Sequence, residues 1–81
     1  MHAREEPSLR YHLLIDGRLD RLWAESLYAA EVRHTSTPEG GPLTELRGDV
    51  PDHAALLGIL NLVHDLGLTI RHVDVEPVPH E

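Results

Sequence analysis

The chain has 81 residues, with 14 acidic and 7 basic side chains, a formal charge of −7 and no cysteine. This length accommodates one domain rather than two, the acidity disfavours a phosphate backbone as partner, and the missing thiols exclude disulfides and thiolate zinc sites. No apolar run reaches the roughly 20 residues of a membrane span, and Met1-His2-Ala3-Arg4-Glu5-Glu6-Pro7 lacks the basic-then-apolar layout of a signal peptide, so a cytoplasmic protein without nucleic-acid or membrane partners is expected.

Residues 1–10 are charged, contain Pro7 and show no periodicity, which predicts an N-terminal tail. From Tyr11 the pattern alternates, with Tyr11, Leu13 and Ile15 on one side and His12, Leu14 and Asp16 on the other, as in a half-buried strand. Gly17 ends it, and Asp20 is placed to cap a helix whose inner side carries Leu19, Leu22, Trp23, Ser26 and Leu27. Burial of Trp23 and Leu27 is expected.

A second strand follows over about 30–35, with Ala30, Val32 and His34 alternating against Glu31 and Arg33. Ser36-Thr37-Pro38-Glu39-Gly40-Gly41-Pro42 is dense in turn formers and predicts a hairpin loop into a third strand from Leu43 to Arg47, ending at Gly48. The next helix spans about Asp52 to Leu66 and stops at Gly67; Ala55, Leu56, Ile59, Leu60, Leu62, Val63 and Leu66 cover about half its circumference. Leu68 to Val75 forms the last strand, and residues 76–81 a Pro-interrupted tail.

The order strand, helix, strand, strand, helix, strand predicts an α+β fold for residues 11–75. It is a ferredoxin-like βαββαβ two-layer sandwich, a four-stranded antiparallel sheet with two helices on one face. The expected core is Trp23, Leu27, Leu56, Ile59, Leu60 and Val63. The first strand is expected between the third and the last, with the second at an edge.

Two resemblances agree with this order. Gly48-x-Val50-x-Asp52-x-Ala54-Ala55-Leu56-x-Gly58-x-Leu60, then Asp65-Leu66-Gly67-Leu68 and Val73, resembles the C-terminal half of a group of small uncharacterised bacterial βαββαβ proteins. Tyr11, Gly17 and Trp23 fit the same group, and the resemblance implies a fold and carries no information about activity. Asp65-Leu66-Gly67-Leu68-Thr69-Ile70 is similar to the helix-to-strand passage of ACT-type regulatory domains, which implies a ligand-sensing alternative.

The seven histidines are the compositional oddity. His53 and His64 lie near one line of the second helix, but eleven residues of rise separate them by roughly 16 Å, too far for one metal ion. His12, His34 and His72 fall on strands, and a His/His/Asp site from His12, His72 and Asp74 or Asp16 requires the two imidazoles to share a face, which alternation leaves open. Asp49 and Asp52 flank a helix start, where capping and the dipole already favour carboxylates. Ser8, Ser26 and Ser36 have no nucleophile-elbow context, and Gly40-Gly41 lies in a hairpin rather than between strand and helix. No cofactor, metal or catalytic residue is assigned, and an enzyme with strand histidines in a subunit cleft is the lesser alternative.

The sheet face away from the helices is then the expected interface: His12 and Leu14, Glu31 and Arg33, Leu43, Glu45 and Arg47, with Arg71, Val73 and Val75 from the last strand. Apolar residues rimmed by opposite charges suit a protein surface. Because a domain of this size buries only about 60% of its unfolded surface, the expected function is a small non-enzymatic interaction module. It self-associates, preferentially as a dimer, through this face or an edge strand, and an unknown protein partner remains open.

Overall fold

The structure is a computed structural model and describes residues 8–79; His2 and His80 lie outside the described residues. Strands β1 (Leu9–Asp16), β2 (Ala29–Ser36), β3 (Pro42–Val50) and β4 (Thr69–Pro77) form an antiparallel sheet in the order β2-β3-β1-β4. A single helix, α1 (His53–Asp65), links β3 to β4. β1 is central and β2 and β4 are the edges, as the sequence pattern implies. The first and last strands in the chain run further than expected: β1 begins at Leu9, which is buried, and β4 reaches Pro77. Beyond β4, the Val78 N–H donates to the Ser8 carbonyl at 2.9 Å.

Period-two alternation places Leu9, Tyr11, Leu13 and Ile15 on the inner side of β1, each at most 4% exposed. Thr44, Leu46 and Val50 of β3 and Val32 of β2 share that side, because residues directly opposite in an antiparallel pair point the same way. Against this surface α1 buries Leu56, Ile59 and Val63, with Leu60 and Leu62 half-buried. Asp52 caps the helix by accepting the Ala55 N–H at 2.9 Å. Gly67 stops it at φ 79°, in the left-handed region, where the Gly67 and Leu68 N–H groups reach back to the His64 and Val63 carbonyls.

The expected first helix is absent. A single 3₁₀ turn, Arg21–Trp23, stands in its place, followed by irregular turns up to Tyr28. Asp20 does cap this turn, accepting the Leu22 N–H at 2.9 Å, but Leu22 points to solvent and is 86% exposed. Trp23 is half-buried rather than core, while Leu19 and Leu27 are the buried residues of the segment. The reason is reach. Residues 17–28 must travel from the Asp16/Leu43 level of the sheet to the Gly48 level where β2 starts, five residues along β3, or roughly 17 Å. A helix over the whole segment rises roughly 18 Å and leaves nothing for the turns at its ends. The β3-to-β4 connection has residues 51–68 for seven residues of strand, roughly 24 Å, and a 13-residue helix of roughly 20 Å with short loops fits.

Hydrogen bonds hold the crossover where helix packing does not. The fully buried Thr44 hydroxyl donates to the Gly17 carbonyl at 2.8 Å and accepts the Leu19 N–H at 3.0 Å. The His34 Nε2–H donates to the Leu19 carbonyl at 2.6 Å, and the Tyr11 hydroxyl donates to the Leu27 carbonyl at 2.7 Å from a buried position. The segment closes with Tyr28 at φ 56°, its carbonyl packed over Gly48 so closely that a Cβ there would lie 2.0 Å from the oxygen. Only glycine fits at residue 48.

Two outcomes follow for stability. Gly48→Ala forces backbone apart between β2 and β3 and should cost about 3 kcal/mol in denaturant unfolding. Burial also pushes the Tyr11 hydroxyl up from its ordinary 10 to about 12. The folded state therefore favours the neutral phenol, and this contribution is complete below pH 10 and lost as pH rises through about 12. Tyr11→Phe should cost about 1–2 kcal/mol near neutrality, since the Leu27 carbonyl loses its donor, and should flatten the stability loss between pH 10 and 12. An unchanged alkaline limb in the variant would contradict this role.

Candidate functional site

The face of the sheet away from α1 is a lattice of ion pairs. The register sets Arg10 opposite Asp49 and His12 between Arg47 and Asp74, while Glu45 lies opposite both Leu14 and Arg33. Arg10 Nε and Nη2 donate to the two Asp49 oxygens at 2.9 and 3.3 Å, a fork geometry. Arg47 donates to Glu45 at 3.2 Å and lies 3.9 Å from Glu31, which also accepts from Arg33 at 3.3 Å. At the other end of β1, Arg71 Nε donates to Asp16 at 2.9 Å.

Four of these groups form a chain across the centre. The His12 Nε2 and Glu45 carboxylate are 2.5 Å apart, the His12 Nδ1 lies 3.9 Å from Asp74, and Asp74 pairs with the His72 Nε2 at 2.8 Å. The two imidazoles meet edge to face with centroids 6.4 Å apart. Hydrogen bonding to His12 holds the Glu45 carboxyl below its ordinary 4.5, helped by the charges of Arg47 and Arg33. Hydrogen bonding to His72 likewise lowers the exposed Asp74 carboxyl. The open question of whether His12 and His72 share a face is therefore answered: they do, with Asp74 between them. Asp16 is engaged by Arg71 and stands apart. Among the described residues no three His, Asp or Glu side chains converge on a position that could hold a metal ion.

The structure gathers most of the expected interface residues on this face: His12, Leu14, Glu31, Arg33, Leu43, Glu45 and Arg47. It corrects the last strand. Val73 lies opposite Leu13 and Val75 opposite Tyr11, so both valines point to the α1 side. Arg71 is the extra residue of a bulge, because Leu14 pairs with His72 and Ile15 with Ile70. The face is consequently more charged than expected, with Leu14 and Leu43 as its half-buried apolar residues. Arg10, Asp49 and Glu76 join it as well. Arg10 was expected in the tail, and its opposition to Asp49 depends on a strand register invisible in either segment alone.

A groove of about 800 Å³ opens at the Leu9 end of this face, between Arg10, Arg47, Glu31 and Tyr28. Tyr28, half exposed at its rim, was not singled out by the sequence pattern; its left-handed backbone has no local signature. The lattice as a whole binds its own charges in pairs within and between strands, and its chemistry is that of a fixed electrostatic surface. The depressed carboxyl of Glu45 contributes stability that is present above pH 4.5 and lost as pH falls through its lower folded-state value. Glu45→Gln should cost about 1–2 kcal/mol at pH 6, and the difference from wild type should shrink steadily below pH 4.5 in acid-dependent denaturant unfolding. A difference that persists unchanged at pH 3 would assign the loss to packing.

No curated protein and no solved structure matches the chain. No described helix is long and apolar enough to cross a membrane. Residues 10–74, which run from the first arginine of the ion-pair lattice on β1 to the aspartate between its two histidines, match a family model. The chain belongs to the family described as a domain of unknown function, DUF8691.

Proposed function

We propose that this domain is a small non-enzymatic protein-interaction module that self-associates as a dimer through its edge strand β4, on a ferredoxin-like plan whose first helix has shrunk to one turn. The observation that carries this reading is the state of Val73 and Val75. Both lie on the α1 side of the sheet, in line with the buried Leu13 and Tyr11, yet they remain 37% and 41% exposed. β4 is nine residues long and open along its outer edge. An unpaired edge with an apolar side is a template for another strand.

A second copy fits this edge. Antiparallel pairing about a two-fold axis at Val73 sets Val73 against its own copy and His72 against Asp74 of the partner, twice. The pairing is self-complementary at its apolar axis position, and it offers each internally paired His72 and Asp74 a second partner across the edge. The ion-pair lattice supports the edge over the open face, because its charges are already paired within one chain and exposed pairs of this kind add little to association.

Molar mass by light scattering tests the reading. Wild type should be dimeric at high micromolar concentration, and Val73→Glu, which brings two like charges together at the axis, should be monomeric with an unchanged circular dichroism spectrum. Leu14→Glu, on the open face, should remain dimeric. A monomeric wild type would overturn self-association, and dissociation by Leu14→Glu alone would move the interface to the open face.

A further inference from the structure

A small cavity of about 280 Å³ lies where the crossover meets β2, lined by Arg18, Asp20, Arg21 and His34. Its arginines differ from the other described ones. Arg10, Arg33, Arg47 and Arg71 each hold a carboxylate at 2.9–3.3 Å, whereas the Arg18 and Arg21 guanidinium groups have no hydrogen-bond or ion-pair partner among the described residues. In a chain with twice as many carboxylates as arginines, these two guanidinium groups line one cavity with their donors uncommitted to any protein carboxylate, so their five-donor forks are available to an anion.

The surroundings are built rather than loose. The Thr44 hydroxyl binds both the Gly17 carbonyl and the Leu19 N–H, so the backbone is fixed on each side of Arg18. Asp20, the carboxylate in the lining, accepts the Leu22 N–H and closes the turn that carries Arg21. His34 commits its Nε2–H to the Leu19 carbonyl. Two guanidinium groups against one carboxylate leave the cavity with a net positive charge on a protein whose total is −7.

We propose that this cavity binds the phosphate group of a small phosphate monoester, held by Arg18 and Arg21. One guanidinium fork satisfies a carboxylate, whereas a phosphate dianion offers three terminal oxygens and accommodates two forks. The site is on the β2 side of the sheet, opposite β4, and stands independently of self-association.

The test is a titration of ¹⁵N-labelled protein with inorganic phosphate and then phenyl phosphate, at constant ionic strength and neutral pH. The expected result is a saturable one-site shift of the Arg18 and Arg21 Nε–H signals and of the backbone amides of Arg18 and Leu19. Phenyl phosphate should match or exceed inorganic phosphate, and acetate should produce no saturable shift. Arg18→Gln and Arg21→Gln, both at exposed positions, should each weaken binding roughly tenfold or more. Arg18→Lys and Arg21→Lys, which keep the charge and lose the fork, should also weaken it, while Arg10→Gln at the far end of the sheet should not. Shifts that stay linear into tens of millimolar phosphate, an equal response to acetate, or equal sensitivity to Arg10→Gln would overturn the proposal.

Discussion

The arrangement rests on one close approach, the Tyr28 carbonyl over Gly48, together with the buried hydroxyls of Thr44 and Tyr11 that pin the same crossover. In a two-layer sandwich the layer opposite the sheet is ordinarily supplied by apolar helix faces. Here half of that layer is a connection too short to be a helix, and its backbone polar groups would be unsatisfied against the sheet without side chains to meet them. Thr44, His34 and Tyr11 supply those partners from three different strands. Leu19 and Leu27 then enter the core as plugs on either side of the turn.

The loss of the expected first helix changes the rest of the surface. α1 has no neighbouring helix, so its buried stripe narrows to Leu56, Ile59 and Val63, and Leu57 is left 60% exposed. At the other edge, β4 extends past the cover that one helix provides, and Val73 and Val75 stay open to solvent. Apolar surface thus accumulates on the helical side of the domain. The open sheet face, which carries the strand carboxylates and arginines, is saturated with pairs within strands and between neighbouring ones. The proposed edge interface rests on this division.

The lattice also shows how charge and register reinforce one another. With β1 in the centre, Arg10 meets Asp49 on one side, and His12 meets Asp74 on the other while its ring reaches Glu45. A slip of one residue would turn the side chains of a strand to the opposite face and bury these charges against α1. The same alternation that buries Tyr11, Leu13 and Ile15 therefore selects the pairs on the other side. Individually such exposed pairs are weak; together they penalise wrong registers.

Much of this was legible in the sequence, because it depends on local periodicity. The alternation in β1, the turn-rich loop before Pro42, the Asp52 cap and the Gly67 stop each state a strand or helix within a few residues of its own position. What the sequence pattern misjudged required distances through space. The segment from Asp20 to Leu27 has a cap and an apolar spacing suited to a helix, yet the reach from Asp16 to Ala29 leaves room for one turn, and that distance exists only once β2 and β1 have taken places on either side of β3. Likewise, Val73 and Val75 alternate in the same way whichever face they occupy. The register against Leu13 and Tyr11, set by the bulge at Arg71, decided that they point toward α1, since period two specifies alternation and only pairing specifies its phase.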